Sequence, residues 1–112
     1  MTESINMLDL RTIKRKTLDV DVADLGGVVR LQQLGAVAFA ATQAKVPDEP
    51  TGEDFTQFNV ELLAQMIVDG DGEAYLDNDE GRTIIRNLSL SALLTLSESA
   101  AELNGTADSK KN

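Results

Sequence analysis

The chain contains no cysteine and no histidine, and only two prolines. Without cysteine there can be no disulfide scaffold, no thiolate zinc site and no thiol catalysis. Without histidine the commonest general base is missing, and with it any Ser-His-Asp triad. Aromatic residues make up 4% of the sequence, so a core must be filled by Leu, Val, Ile and Ala rather than by large rings. No apolar run approaches membrane-spanning length. The opening "MTESINMLDLRTIKRK" lacks the apolar h-region of a secretion signal. The expectation is therefore a protein that remains in a reducing cytoplasm, with no membrane partner and no cofactor.

Positive charge is also scarce. Ten basic residues face nineteen acidic ones, giving a net charge of -9 and a pI near 4.3. That balance argues against a nucleic-acid partner held through a broad basic surface. Four of the ten basic residues fall in one short run, Arg11, Lys14, Arg15 and Lys16, which reads as a solvated patch. Neither an internal repeat nor a low-complexity tract is present.

What the sequence does contain is 112 residues, enough for one domain, with 42% hydrophobic content. In residues 1–16, Met7, Leu8, Leu10 and Ile13 have the mixed spacing of a short, frayed helix. "TLDVDV" alternates strictly, placing Leu18, Val20 and Val22 on one face and Thr17, Asp19 and Asp21 on the other, as in a half-buried strand. Gly26-Gly27 can take the positive φ angles of a reversal, and "VVRLQQL" returns, so residues 17–34 are predicted to form a β-hairpin. A lone hairpin is marginal in water and must lie on something. The remainder, 35–105, supplies helices. An alanine-rich one is capped by Gly35 and ended by Pro47 and Pro50. A second is capped at Thr51 or Gly52, with Phe55, Phe58, Leu62, Leu63, Met66 and Ile67 on a buried face. A short third lies in "EGRTIIRNL". A fourth opens at Ser89, has Leu90, Leu93, Leu94, Ser97, Ala100 and Ala101 on one face, and closes at Gly105. The predicted fold class is α+β, predominantly helical: a small N-terminal β-hairpin packed on three to four helices. Residues 17–105 form its single compact domain, and 106–112 a disordered tail.

The stretch with most chemical character is "VDGDGEAYLDNDEG", Val68 to Gly81, with six acids in fourteen residues. Asp69 at position one of an EF-hand loop puts Asp71 at three, Glu73 at five, Asp77 at nine and Glu80 at twelve. The sixth position requires glycine for the sharp turn, and Ala74 stands there. Glu73 is also longer than the usual side chain at five, and no second loop exists to form a pair. The simpler reading is a turn. Asp69-Gly70-Asp71-Gly72 stops the preceding helix after Val68, Glu73 to Leu76 run extended, and "DNDEG" caps the next helix with an acidic first turn.

Taken in order, these segments resemble the tail assembly chaperones of long-tailed bacteriophages, including prophages. The likeness spans roughly residues 8 to 105. It is carried by the order of a leucine-rich start, a strand "LDVDV", a turn "DLGG", a strand "VVRLQQL", a helix running into "IVDGDGEAYLDNDEG", and a final helix closing on "AAELNG". The residues that match are Gly26, Gly27, Arg30, Leu34, Asp69, Asp71, Gly72, Leu76, Asn104 and Gly105.

The resemblance implies a non-enzymatic protein of the bacterial host cytoplasm. It would bind the aggregation-prone tape measure protein, promote assembly of tail tube subunits around it, and be absent from the mature virion. Many such chaperones also have a longer product made by ribosomal frameshifting, and Lys110-Lys111 is what an adenine-rich slippery site would encode. Self-association is compatible with this role. Two other classes stay open on the residues themselves: a small acidic calcium-binding module using Asp69, Asp71, Glu73, Asp77 and Glu80, and an acidic inhibitor protein of phage origin.

Overall fold

The computed structural model describes residues 7–106; the first six residues of the N-terminal segment and all of the expected tail 106–112 but Thr106, Lys110-Lys111 included, lie outside them. The alternation of "TLDVDV" produces strand β1 (Thr17–Val22), with Val20 and Val22 buried and Asp19 and Asp21 in solvent. It pairs antiparallel with β2 (Gly27–Gln32), from Thr17 opposite Gln32 to Val22 opposite Gly27. A single 3-10 turn, Ala23–Leu25, joins them and ends on Gly26 at φ 73, the left-handed region that glycine enters at little cost. Only Gly26 is needed for the reversal, because Gly27 is already the first residue of β2.

Helix α1 (Ala36–Gln43) follows its Gly35 N-cap. It ends before Pro47, unwinding through backbone bonds from Lys45 N to Thr42 O and Val46 N to Gln43 O. Helix α2 (Gly52–Met66) opens with a capping box: the Thr51 hydroxyl accepts from Asp54 N, and the Asp54 carboxylate accepts from Thr51 N. Helix α3 (Asp79–Arg86) is capped by Asn78, whose side-chain oxygen accepts from Gly81 N at 2.7 Å. Helix α4 (Leu90–Asn104) is capped by Ser89 and closed by Gly105, with Thr106 N donating to Ala101 O at 2.8 Å. The architecture is a small α+β fold, four helices on an antiparallel sheet.

Several local expectations are corrected. The helix expected to run through Val68 stops at Met66, and Ile67–Val68 form a third strand, β3, on the edge of β2. Arg30 pairs with Val68 and Leu31 with Ile67, so backbone groups of β2 that would face solvent are bonded instead. The acidic connection then turns at Tyr75-Leu76 rather than running extended to Leu76. Phe55, in the first turn of α2, is 55% exposed rather than on the buried face. Phe58, one turn later, meets Phe39 edge-to-face at 6.1 Å. Lastly, α4 buries Ala92, Leu93, Leu96 and Ala100, leaving Leu90 70% and Leu94 50% exposed. The helix is rotated relative to the predicted face so that its smallest residues lie against the sheet and α2.

The core joins Val20, Val22 and Leu31 of the sheet to Val60, Leu63 and Met66 of α2, Ile85 of α3 and Leu96 of α4. At its margin Ser97 is half-buried, and its hydroxyl is shielded without a hydrogen-bond partner among the described residues. Ser97→Ala should therefore leave stability unchanged or raise it by up to about 1 kcal/mol, since the substitution removes an unpaired polar atom and improves helix propensity. Urea denaturation of the two proteins measures the difference. At the other end of the chain, the short helix expected around Met7 to Ile13 is reduced to one 3-10 turn, Leu10–Thr12, with no buried residue.

Candidate functional site

The acidic connection between β3 and α3 is built around Asp69. Its Oδ1 accepts from Asp71 N at 2.9 Å and from Glu73 N at 3.0 Å, which folds the loop back over its first residue. The left-handed residue is Gly72, at φ 85, and not the sixth position occupied by Ala74. The turn thus falls two residues earlier than a calcium loop requires, and the carboxylates diverge. Asp77 is held by Arg82 at 2.9 Å, and among the described residues no group of three or more acids gathers as a metal ion would need. Asp69, Asp71, Glu73, Asp77 and Glu80 are consequently spread along the connection and the start of α3.

The two backbone donors hold the Asp69 carboxyl below the usual carboxylate range, the Glu73 N–H first and the Asp71 N–H second. A depressed carboxylate contributes stability above its unfolded value and loses it as pH falls through the folded one. The loop is therefore expected to loosen only under acid, below the ordinary aspartate range. In an NMR titration Asp69 should be among the last side-chain carboxyls to protonate, and Asp69→Asn should remove the acid-dependent loosening of Asp71 and Glu73 amides.

Behind the loop, α3 is fixed to α2 by a ladder of polar groups. Arg82 Nε donates to both Glu61 oxygens at 2.9 Å, and its other nitrogen reaches Asp77 at 2.9 Å. One turn along, Arg86 Nε donates to Gln57 at 3.2 Å, and Gln57 donates to Glu61 at 3.0 Å. Glu61 is 16% and Arg82 20% exposed, so this pair is screened less than a surface bridge. The Arg82 guanidinium is held above its ordinary pKa, by Glu61 chiefly, and is a permanent cation there.

With its charged face bound to α2, α3 presents Ile84 on another side. Ile84, Tyr75 and Leu25 rim an apolar hollow of about 150 Å³ whose floor includes Ile67 and Leu96. The three rim residues are 47%, 55% and 45% exposed, although the hollow they border is apolar. An adjoining hollow shares Tyr75, Leu76 and Ile84 and ends at Glu80. Another, between α1 and α2, is lined by Thr42, Lys45, Asp54, Phe58 and Glu61. Its two acids are already engaged, Asp54 in the α2 cap and Glu61 with Arg82.

The motif residues shape the backbone at separate places. Gly26 and Gly27 lie at the hairpin turn, and Arg30 pairs across the strands with Asp19 at 2.7 Å. Leu34 N donates to the Asn104 side chain at 3.1 Å, tying the exit of β2 to the end of α4 beside Gly105. Leu76 lines the apolar hollow, while Asp69, Asp71 and Gly72 form the acidic turn. Sequence periodicity does not report the hollow, since its lining comes from a turn, two strands, loops and two helices. Three large apolar residues outside any predicted buried stripe, Leu25, Tyr75 and Ile84, were its only signal.

No family model matches the chain, and neither a curated protein nor a solved structure matches it. Among the described residues no helix is long and apolar enough to cross a membrane.

Proposed function

We propose that the chain is a tail assembly chaperone of a long-tailed bacteriophage or prophage. It binds the tape measure protein in the host cytoplasm and promotes tail tube assembly around it, without entering the mature virion. The observation that carries this reading is the second apolar stripe of α4. The helix is held in the core by Ala92, Leu93, Leu96 and Ala100, yet Leu90 and Leu94, one turn apart, stand in solvent. Half-buried Ser97 and Ala101 continue the row at helical spacing. Leucines followed by small residues form a surface on which a long client helix can lie closely. The net charge of -9 keeps a protein with such a surface from precipitating, through self-repulsion.

The order of segments resembling these chaperones points to the same client class. Tail tube protein and a longer frameshift product are the further partners of that reading. The test is co-expression of the tagged chain with a tape measure protein from the same genome. A complex that survives purification is expected. A tape measure protein that sediments alone, no more soluble than without the chain, contradicts the proposal.

A further inference from the structure

Helix α4 carries its charge where helix physics disfavours it. Its only ionisable residues are Glu98 and Glu102, both exposed and one turn apart in the C-terminal half. Acids there face the negative end of the helix dipole, and two of them at this spacing repel each other. The rest of the fold does not compensate. Among the described residues neither glutamate is in an ion pair, and the helix end is met by a neutral group, with Gln33 Nε2 donating to Leu103 O at 3.0 Å. A local rule broken without internal compensation marks a surface kept for something outside the chain.

Both acids border the exposed row of Leu90, Leu94, Ser97 and Ala101. At about 100° per residue, Glu98 falls about 40° from Leu94, on the side away from the buried Leu93 and Ala100. Beside the leucines the same flank carries Ser91 and Thr95, which are uncharged. The surface is therefore polarised along its length. One half is bulky and neutral, the other small-residued and anionic. At the leucine end Asp24 is already engaged, accepting from the Ser89 hydroxyl at 2.7 Å.

We propose that α4 selects a client helix polarised to match. One half of that helix carries large apolar side chains and a pair of Lys or Arg four residues apart. These fill the shallow ground over Ser97 and Ala101 and reach Glu98 and Glu102. The other half is uncharged and small-residued, which gives Leu90 and Leu94 room. The inference rests on the reading of α4 as the client surface and adds the chemistry of what that surface accepts. The occupant is a cationic helix because the site is a helical ridge with unpaired acids along one flank. Cations at helical spacing also relieve the repulsion between Glu98 and Glu102 that free α4 bears.

The test measures binding of labelled synthetic helices of ~18 residues to the purified full chain by fluorescence anisotropy. The matched probe has a leucine seam and two lysines, four apart, in one half, and an alanine seam in the other. A second probe replaces the lysines by glutamates, and a third moves them to the alanine half. The matched probe should bind at least about tenfold tighter than either, with the margin shrinking at high salt. Glu98→Lys with Glu102→Lys should invert the preference toward the glutamate probe. Both side chains face solvent, so circular dichroism should be unchanged. Equal affinities for the three probes, no binding of any, or an unchanged preference in the folded variant each overturn the proposal. Co-expression with the tape measure protein separates this inference from the chaperone reading. If the charge-swapped chain still solubilises the client while Leu90→Glu with Leu94→Glu does not, the charge selection falls and the chaperone reading stands. If neither variant loses solubilisation, both fall.

Discussion

Gly81→Ala is expected to destabilise the protein by about 3 kcal/mol or more, and to unfold it at moderate temperature, against the sign that helix propensity alone would give. Gly81 lies in the first turn of α3, where alanine is ordinarily preferred to glycine by about 1 kcal/mol. Here the Leu76 backbone occupies the space a side chain would need. A Cβ at Gly81 would come within 2.0 Å of the Leu76 carbonyl oxygen and 2.5 Å of its carbonyl carbon. A backbone carbonyl cannot rotate away as a side-chain tip can. Either α3 or the Tyr75-Leu76 turn must therefore move. Movement of α3 would strain the Asn78 cap on Gly81 N and the Arg82 contacts with Glu61 and Asp77 together. Urea denaturation gives the magnitude, and a Gly81→Ala protein as stable as wild type would show that the turn and helix are not in contact.

Leu31→Ala should cost about 2 to 5 kcal/mol, the range for deleting a fully buried leucine that leaves a cavity. Leu31 has no exposed surface and sits in the middle strand, opposite Leu18 on β1 and Ile67 on β3. It is thus the residue on which all three strands converge over α2 and α4. Neighbours on both sides are held by backbone pairing and cannot collapse inward to refill the space. For a domain with a total stability of about 5 to 15 kcal/mol, such a loss lowers the melting temperature by roughly 10 °C or more. Leu90→Ala is the matching control. That leucine is 70% exposed, and its truncation should change stability by less than about 0.5 kcal/mol. Thermal melts of the two variants side by side distinguish a residue that holds the fold from one that faces solvent.

The hairpin and the helix caps were legible because each depends on local chemistry. Strict alternation in "TLDVDV" fixes which face is buried, and Thr51, Asn78 and Ser89 each offer a short side-chain acceptor to an unpaired helix N–H. The third strand was not legible. Two residues carry no period, and Ile67 and Val68 continue the apolar content of α2 without a break; only the unpaired edge of β2 draws them out of the helix. The outward turn of Leu90 and Leu94 was hidden for a different reason. On a helix with apolar residues on more than one side, spacing shows that a stripe exists but not which stripe meets the core. Size is consistent with the outcome, since the small Ala92 and Ala100 are buried while the larger Leu90 and Leu94 stand outside.

The acidic stretch teaches the same lesson from the chemical side. Ala74 in the sequence stands where a calcium loop needs glycine; in the structure the left-handed residue is Gly72, and the Asp69 carboxylate turns onto its own backbone. Gly81, read only as the end of an acidic helix start, carries the tightest packing demand of any glycine among the described residues. Its role depends on a carbonyl five residues away along a folded-back turn, which no helical or strand period reports.

On the proposed function, the exposed stripe of α4 would hold the tape measure client. The most direct measurement is the soluble fraction of that client when co-expressed with the wild-type chain or with a Leu90→Glu, Leu94→Glu variant. Both side chains face solvent, so the variant should fold and melt like wild type while leaving most of the client in the pellet. Equal client solubility with a folded variant would contradict the account.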